Sequence, residues 1–395
     1  MIHLPPSTTM LGLSLFVIAP CALRLVQRKS STIARNIKFK RATIANVKSL
    51  IASMEQVVQA DEGKRGIHDI ILPEGELYNA ACEMITAKRV AVITGFPCML
   101  THSPPTETDG PLGALSIAKT LLMLGKDVVI ITDECNEEVL LSCAAAATAH
   151  SSMLPQGLRK GTLTLESFPA STIFNAADES RLLKLRALVD LVVAIERAGP
   201  CKDGRYLTMR GYDMSHLVAP LELLLMPPDL LEGSDSLSKG PVSASKVGST
   251  LPRSIGIGDG GNEVGMGRVY HRVVHSSITN AAEIACVVPT DHLLVSSVSN
   301  WGGYALSAAT AALALLNNVN RTLPAQSAES GYSVEELRAH IDACLPSDAE
   351  ETHKCERIVA AGARDGVTGQ LALYVDGMPL SESLSILRRL RNVDL

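Results

Sequence analysis

The chain has 395 residues, of which 46% are hydrophobic, so it can bury a large core and is not a disordered protein. Residues 1–54 carry eight Lys or Arg side chains and no Asp or Glu, whereas the rest of the chain carries 28 basic and 41 acidic side chains, a net charge of −13. A body this acidic, with only 3% aromatic residues, offers few contacts to phosphates or bases. Nucleic acid is therefore not an expected partner.

The first 54 residues have the composition of an organelle transit peptide. An apolar run at 10–23 is too short to span a bilayer as a helix, and the basic residues follow it instead of preceding it. We predict a leader over residues 1–54 and import into the mitochondrial matrix. A short signal-anchor, a plastid address and a disordered tail remain as alternatives. No later stretch reaches transmembrane length without charges, so no stable membrane span is expected in the mature body.

Strand and helix patterns alternate along the body, residues 55–395. Short apolar runs predict strands at 89–95, 127–132, 188–195, 254–257, 284–288 and 293–298. Apolar residues at helical spacing predict helices at 112–124, 137–150, 304–316 and 334–344. Such alternation predicts an α/β domain with a doubly wound, mostly parallel, Rossmann-like sheet and helices on both faces. Residues 230–252 and 321–351 are interpreted as loop insertions.

Polar and glycine-rich segments come directly after the predicted strands. In an open α/β sheet these segments meet at the carboxyl edge, where ligands bind. Seven carboxylates are expected there: Glu107, Asp109, Asp133, Glu134, Glu196, Asp259 and Glu263. Such a group must pair or share a cation, and either arrangement shifts pKa values toward acid–base chemistry. Arg197 and Arg210 are the expected partners, and a guanidinium also suits a substrate carboxylate. For any single carboxylate, a structural salt bridge or helix cap is the competing interpretation.

Residues 256–261 match the spacing GxGxxG. A dinucleotide fingerprint, a phosphate-binding loop and a tight turn at the sheet edge all fit this spacing. The acidic residue that should follow a dinucleotide fingerprint by about 20 positions is not clear, so the turn is favoured. A kinase or a dehydrogenase is a weaker interpretation because the chain has no P-loop.

Six segments rich in glycine and charged residues stand out in the chain. They are PPTETDGP at 104–111, AIERAG at 194–199, MRGYDMSH at 209–216, IGIGDGGNEVGMG at 255–267, SNWGGY at 299–304 and GARDGVTG at 362–369. In that order they resemble the C-terminal domain of the D-glutamate cyclase family, from about residue 66 to residue 379. The resemblance implies a hydro-lyase that converts D-glutamate to 5-oxo-D-proline and water, in the mitochondrial matrix as in animal members.

Animal members of that family also carry an N-terminal hydro-lyase-like domain. The alternative function is therefore a non-catalytic module that binds a metabolite or nucleotide and partners a separate hydro-lyase subunit. A homo-oligomer is a further expectation for the partners of this chain.

Cyclisation of glutamate needs a base for the α-ammonium group and donors for the γ-carboxyl group. The candidate catalytic residues are Glu107, Glu196, Asp259 and Glu263. The candidate substrate contacts are Thr106, Asp109, Gly110, Arg197, Arg210, Gly258, Gly260, Gly261, Asn262, Asn300 and Trp301, with the backbone N–H groups of 258–261 as oxyanion donors. Asp259 and Glu263 are also the candidate ligands of a divalent cation, Mg²⁺ or Mn²⁺.

Overall fold

A six-stranded parallel sheet lies at the centre of the structure, a computed structural model that describes residues 43–61, 66–149, 160–226, 251–317 and 332–394. Its strands are β1 Arg89–Gly95, β2 Asp127–Asp133, β3 Leu163–Phe168, β4 Leu191–Arg197, β5 Arg253–Gly258 and β6 His292–Val295. They are arranged in the order β3-β2-β1-β4-β5-β6, which is that of the Rossmann fold. The predicted α/β sheet is confirmed, and its topological switch point lies between β1 and β4.

Helices of the described residues pack around this sheet. They are α1 Ile44–Gln59, α2 Glu76–Thr86, α3 Pro111–Met123, α4 Glu137–Ala149, α5 Ala176–Leu188, α6 Tyr270–Val274, α7 Ala281–Ile284, α8 Ser299–Leu316, α9 Val334–Cys344, α10 Asp348–Ala360 and α11 Leu380–Asn392. A short hairpin, β7 Tyr374–Val375 and β8 Met378–Pro379, precedes α11. In the described part of the chain, no helix is both long and apolar enough to span a membrane.

Helix α8 begins five residues earlier than the sequence predicted. Gly302 and Gly303 suggested a loop before the helix, but both lie inside it. A Cβ atom on Gly303 would come within 2.9 Å of the Gly113 Cα on α3. The glycines therefore allow a close contact between two buried helices and do not interrupt α8.

The strand predicted at 284–288 is wrong. Ile284 ends the short helix α7, and the residues after it bond to loops instead of to a strand of the sheet. The Cys286 N–H donates to the Gly261 carbonyl, and the Val287 N–H donates to the Pro200 carbonyl. The segment is buried and apolar because it covers one face of the sheet, and periodicity alone cannot separate that role from a buried strand.

The two faces of the sheet belong to two separate cores. Alternate residues of β4 show the division, with Val193 and Ile195 in one core and Val192 and Ala194 in the other. The first core includes residues of the long buried helices α3 and α8, and the second includes residues of α5 and of segments between 201 and 288. Helices on both faces were predicted, and the structure agrees.

Helix α1 corrects the boundary of the predicted leader. Val47, Leu50, Ile51 and Met54 are buried in the first core, although all four fall within the predicted leader, residues 1–54. The described residues fall in a compact unit that covers Arg41–Leu395. The folded body therefore begins before residue 44. Positive charge and the lack of acids do not distinguish a leader from an amphipathic helix such as α1.

Ile51→Ala is expected to lower the free energy of unfolding by about 2–5 kcal/mol, because Ile51 is fully buried. Ile44→Ala on the same helix is the matched control, with an expected change below about 0.5 kcal/mol, because the Ile44 side chain is 66% exposed. Urea unfolding of both variants measures the difference. Equal, small losses would mean that α1 is not part of the folded body.

The two predicted insertions differ in what the structure describes. Residues 230–250, nearly all of the first, lie outside the described residues. In the second, Leu337, Ile341 and Cys344 of α9 are buried in the first core, and α9 packs against α8. The described part of the segment 321–351 is therefore part of the core and not a peripheral insertion.

His340 on α9 is expected to make the protein less stable in acid. Its side chain is buried, Nε2 has no hydrogen-bond partner, and burial lowers its pKa below the ordinary 6.5. As the pH decreases below 6.5, His340 is protonated in the unfolded chain before it is protonated in the folded protein. The free energy of unfolding therefore decreases by up to about 1.4 kcal/mol for each pH unit of acidification.

His340→Leu should remove that contribution, whereas His353→Leu, at a side chain that is 66% exposed, should not. Urea unfolding between pH 7.5 and 5 measures the slopes. A wild-type slope that His340→Leu leaves unchanged would contradict this assignment.

Candidate active site

A cavity of about 840 Å³ opens at the carboxyl edge of the sheet, above β1, β4 and β5. This is the switch-point side of the fold, where ligands bind in open α/β sheets. Seven carboxylate side chains line it: Asp61, Glu107, Asp109, Glu196, Asp259, Glu263 and Asp376. Five of the seven were expected at this edge from the sequence.

Three of these carboxylates lie especially close together. Asp109, Glu196 and Asp259 are all buried, and one oxygen of each lies within 4.8 Å of the other two. They come from three different segments, the loop before α3, the end of β4 and the turn after β5. We refer to Asp109, Glu196 and Asp259 as the acidic triad.

Glu196 projects into the cavity from an irregularity in β4. Thr94 pairs with Ile195 and Gly95 pairs with Arg197, so Glu196 is an extra, bulged residue. Its φ of 39° is in the left-handed region, which costs a non-glycine residue about 1–3 kcal/mol and is typical of functional sites. The Ser299 hydroxyl donates to Glu196 Oε2 at 2.6 Å. Burial raises the Glu196 pKa well above its usual value, and the nearby carboxylates of Asp259 and Glu263 raise it further.

Asp109 and Asn300 cap each other's helices. The Asp109 carboxylate accepts from the N–H groups of Ser299 at 2.9 Å and Asn300 at 2.8 Å, at the start of α8. The Asn300 side-chain oxygen accepts from the N–H groups of Gly110 at 3.0 Å and Gly113 at 2.7 Å, at the start of α3. Two helix N-termini therefore meet at this carboxylate. Burial, followed by the nearby Asp376 carboxylate, still raises the Asp109 pKa to about 7.

Glu107 lies beside the GARDG segment. Backbone bonds join the two motifs, because the Arg364 N–H donates to the Thr106 carbonyl at 3.0 Å and the Thr108 N–H donates to the Arg364 carbonyl at 2.9 Å. Gly366 faces the Glu107 carboxylate, so closely that a Cβ there would overlap it. Cys98 also lines the cavity, and burial with the Glu107 charge raises the pKa of its thiol well above the usual value. The thiol is therefore protonated and a weak nucleophile.

The Glu263 carboxylate accepts hydrogen bonds from the glycine-rich turn, whose N–H groups were predicted as oxyanion donors. Its carboxylate accepts from the N–H groups of Asp259 at 3.0 Å, Gly260 at 2.6 Å and Gly261 at 2.7 Å. These three N–H groups were expected to bind an oxyanion, but they already bind a carboxylate of the same chain. Gly258, the remaining residue of the predicted donor set, belongs to β5. The tight-turn interpretation of residues 256–261 agrees with this geometry.

Arg197 was predicted to contact substrate, but its side chain does not line the cavity. The side chain is fully buried and forms a two-pronged ion pair with Asp133, at 2.6 and 2.8 Å. A further bond, at 2.6 Å, goes to the Ala219 carbonyl. Arg197 and Glu196 therefore lie on different sides of the same strand end.

Arg210 is the guanidinium that lines the cavity. Its side chain is exposed and donates to the Val367 carbonyl at 3.1 Å, across the mouth. The two other polar candidates at this side differ in position. Asn262 lines the cavity and donates to the Leu207 carbonyl at 2.8 Å, while the Thr106 hydroxyl donates to Asn136 at 2.5 Å, away from the cavity lining.

Trp301, also predicted to contact substrate, does not line the cavity either. It is buried in the first core, and its indole N–H donates to Ser383 at 2.9 Å.

Of the lining residues that sequence reasoning missed, Asp376 is the most informative. It lies in the hairpin turn between β7 and β8, and Asp376-Gly377 is a dipeptide typical of such turns. That signal predicts a hairpin but not its position beside Asp109.

The acidic triad is a different set of candidate metal ligands from the predicted pair, Asp259 and Glu263. Its three carboxylate oxygens are the hard donors that Mg²⁺ and Mn²⁺ prefer, so the residues fit a divalent cation. Asp259 belongs to this group as predicted. Glu263 does not, because the backbone of its own turn holds it.

The fold and site define a class of protein: a Rossmann-type α/β domain with buried, closely spaced carboxylates at its switch point. Comparison with known proteins is more specific. A family model described as "D-glutamate cyclase-like, C-terminal" matches residues 54–391, and the chain belongs to this family. It is 32% identical over 340 residues to "D-glutamate cyclase, mitochondrial" of Homo sapiens, a match that covers 83% of this chain and 49% of the relative. The chain therefore spans about half the length of that relative.

Proposed function

We propose that this protein is a hydro-lyase that closes D-glutamate to 5-oxo-D-proline with release of water, in the mitochondrial matrix. The observation that carries the proposal is the acidic triad in a switch-point cavity, in a chain that is 32% identical to a D-glutamate cyclase over most of its length. The name of the relative supplies the substrate, and the site supplies groups suited to the chemistry.

The reaction moves two protons from nitrogen to oxygen. The α-ammonium group loses two protons, the nitrogen forms an amide bond to the carbon of the γ-carboxyl group, and one oxygen of that carboxyl takes both protons and leaves as water. A site for this chemistry needs a carboxylate that accepts a proton and a carboxylic acid that donates one. Carboxyl groups whose pKa values are raised by burial and by one another can occupy both states at neutral pH.

In this scheme Glu196 accepts one ammonium proton, and Asp109, with a pKa of about 7, donates its proton to the leaving oxygen. The second ammonium proton then passes to Asp109, and Glu196 gives its proton to the leaving oxygen, so water leaves and both side chains return to their starting states. Glu107 lines the same cavity and is the second candidate base. Arg210, at the mouth, binds the α-carboxylate. A cavity with seven carboxylates otherwise repels an anionic substrate, so this cation is needed for binding.

The acidic triad would also hold a divalent cation, Mg²⁺ or Mn²⁺, if the enzyme uses one. Bound there, such an ion supplies a Lewis acid that polarises the γ-carboxyl group. Such an ion would hold Asp109 and Glu196 as carboxylates, so it is an alternative to their roles as proton donor and acceptor, and Glu107 would then be the base.

Turnover by the purified chain tests the proposal. D-glutamate, L-glutamate and both enantiomers of 5-oxoproline are incubated with the chain, with and without Mg²⁺ or Mn²⁺, and the products are separated by chiral chromatography. The expected result is interconversion of D-glutamate and 5-oxo-D-proline only. Turnover of the L enantiomers at the same rate would overturn the substrate assignment.

A second function deserves a test because the chain spans only about half of its relative. In that case this chain is a metabolite-binding module, and a separate hydro-lyase subunit completes the enzyme. A folded chain that binds D-glutamate by calorimetry without turning it over would favour this function. Fusion of residues 1–42 to a fluorescent protein tests import into mitochondria.

A further inference from the structure

The bulge in β4 exchanges the faces on which two neighbouring side chains lie. Residues of a strand alternate, so Glu196 should lie on the side of Ala194, and Arg197 on the side of Ile195. The opposite is observed. Glu196 bonds to Ser299 of α8, the helix that packs on the Ile195 side, whereas Arg197 reaches Ala219, which belongs to the core of Ala194. The single extra residue therefore directs the carboxylate into the cavity.

Hydrogen bonds to Asp133 and Ala219 hold the Arg197 side chain on the opposite side of the strand from the cavity. Its two terminal nitrogens bind the two oxygens of Asp133 at 2.6 and 2.8 Å. The Asp133 carboxylate also accepts from the Ala219 N–H at 2.7 Å, and Arg197 donates to the Ala219 carbonyl at 2.6 Å. Asp133 ends β2 and Arg197 ends β4, so the pair joins the ends of the two strands that flank β1.

Gly110 makes room for the bulge on the cavity side. A Cβ on Gly110 would lie 2.8 Å from the Glu196 Cβ, so this position accepts no side chain without moving Glu196. A residue such as Glu196 keeps a left-handed conformation only where its surroundings fix it from several directions. Here the guanidinium of Arg197 is bound next to Glu196 in the chain, and the absence of a side chain at 110 leaves the space that Glu196 occupies.

We infer that Arg197 and Asp133 are positioning residues: their ion pair holds the bulge and thereby aims the Glu196 carboxylate into the cavity. The inference rests on the proposed function in that Glu196 is the group whose position matters. It also replaces the substrate contact predicted for Arg197 with an indirect role.

The test removes the anchor without leaving a buried charge. The double variant Asp133→Leu with Arg197→Met replaces the ion pair by apolar side chains, which buried pairs often tolerate. Arg197→Lys keeps the charge but not the planar two-pronged geometry. The matched control is another buried ion pair, Lys354 with Glu351 at 2.6 Å, replaced as Lys354→Met with Glu351→Gln so that Tyr304 keeps an acceptor.

We expect the double variant to lose about 100-fold in kcat with D-glutamate while KM changes by less than about threefold, because Glu196 is displaced but Arg210 is not. Arg197→Lys should lose about tenfold and the control less than about twofold. If the double variant does not fold, Arg197→Lys decides. Loss of kcat in the control equal to that in the variants would overturn the inference, since a general loss of packing would then explain both.

Crystal structures of the same variants separate this inference from the proposed function. The expected change is a negative φ at residue 196 and loss of the Ser299 contact. A bulge and Ser299 contact unchanged in the double variant would overturn the positioning role, whether or not the wild-type chain turns over D-glutamate. Absence of wild-type turnover would instead count against the proposed function.

Discussion

Glu196→Gln is expected to lower kcat for D-glutamate by about 10³-fold, because glutamine cannot accept the ammonium proton. The amide has nearly the same shape and can still accept from the Ser299 hydroxyl, which lies 2.6 Å from Oε2 in the wild type. The protein should therefore stay folded. It should also become somewhat more stable near neutral pH, because the variant no longer buries an ionisable carboxyl beside four others.

Glu134→Gln is the matched control. Glu134 follows β2 at the same edge of the sheet and was predicted in the same carboxylate group, but its side chain is exposed and does not line the cavity. Its kcat should stay within about twofold of wild type. Steady-state assays of both variants, with folding checked by thermal unfolding, give the comparison. A Glu196→Gln variant that keeps kcat within threefold would move the proton-accepting role to Glu107.

The sheet was predictable because its strands are buried on both faces. Residues 128–131, for example, are all apolar, and Asp133, Glu196 and Gly258 directly follow three of the predicted runs. The same rule predicts Glu107, Asp109, Glu196 and Asp259 at one edge, and all four line the cavity there. Strand β3 was missed because it lies at the edge of the sheet and its residues are mostly half-buried or exposed, so its sequence is more polar.

The direction of each side chain at that edge was not predictable. One extra residue in β4 reverses the sides on which Glu196 and Arg197 lie, and no composition or spacing signals a bulge at a strand end. Asp376 is separated from Asp109 by more than 260 positions, and only the tertiary fold brings the hairpin that carries it to the cavity.

The hydrogen-bond partner of each carboxylate in the cavity was also not predictable, because a buried carboxylate can accept from backbone N–H groups, from a hydroxyl or from a cation. The Asp109 carboxylate accepts from backbone N–H groups at the starts of α8 and α3. The Glu196 carboxylate accepts from the Ser299 hydroxyl, and the Glu263 carboxylate accepts from N–H groups of its own turn. The sequence predicted Asp109 as a substrate contact, Glu196 as a catalytic residue and Glu263 as a catalytic residue or metal ligand. Hydrogen-bond partners, which only the fold supplies, separate their roles.

Glu263→Ala is expected to lower the free energy of unfolding by about 3–6 kcal/mol, because it leaves three N–H groups of the turn after β5 without an acceptor. Glu263→Gln should cost less, about 1–3 kcal/mol, since its remaining oxygen can still accept from Asp259 and Gly260. Glu283→Ala, at a side chain that is 54% exposed, is the control and should change stability by less than about 0.5 kcal/mol.

A small anion should partly replace the missing carboxylate. Three backbone N–H groups that converge on one point form an anion site once Glu263 is shortened to alanine. Formate or phosphate should therefore raise the melting temperature of Glu263→Ala by more than that of the wild type or of Glu283→Ala, measured by thermal unfolding at constant ionic strength. If Glu263→Ala is instead as stable as the wild type but inactive, Glu263 takes part in the chemistry directly, as the sequence alone suggested. A destabilised variant that formate restores assigns it to the architecture of the turn that carries Asp259 into the acidic triad.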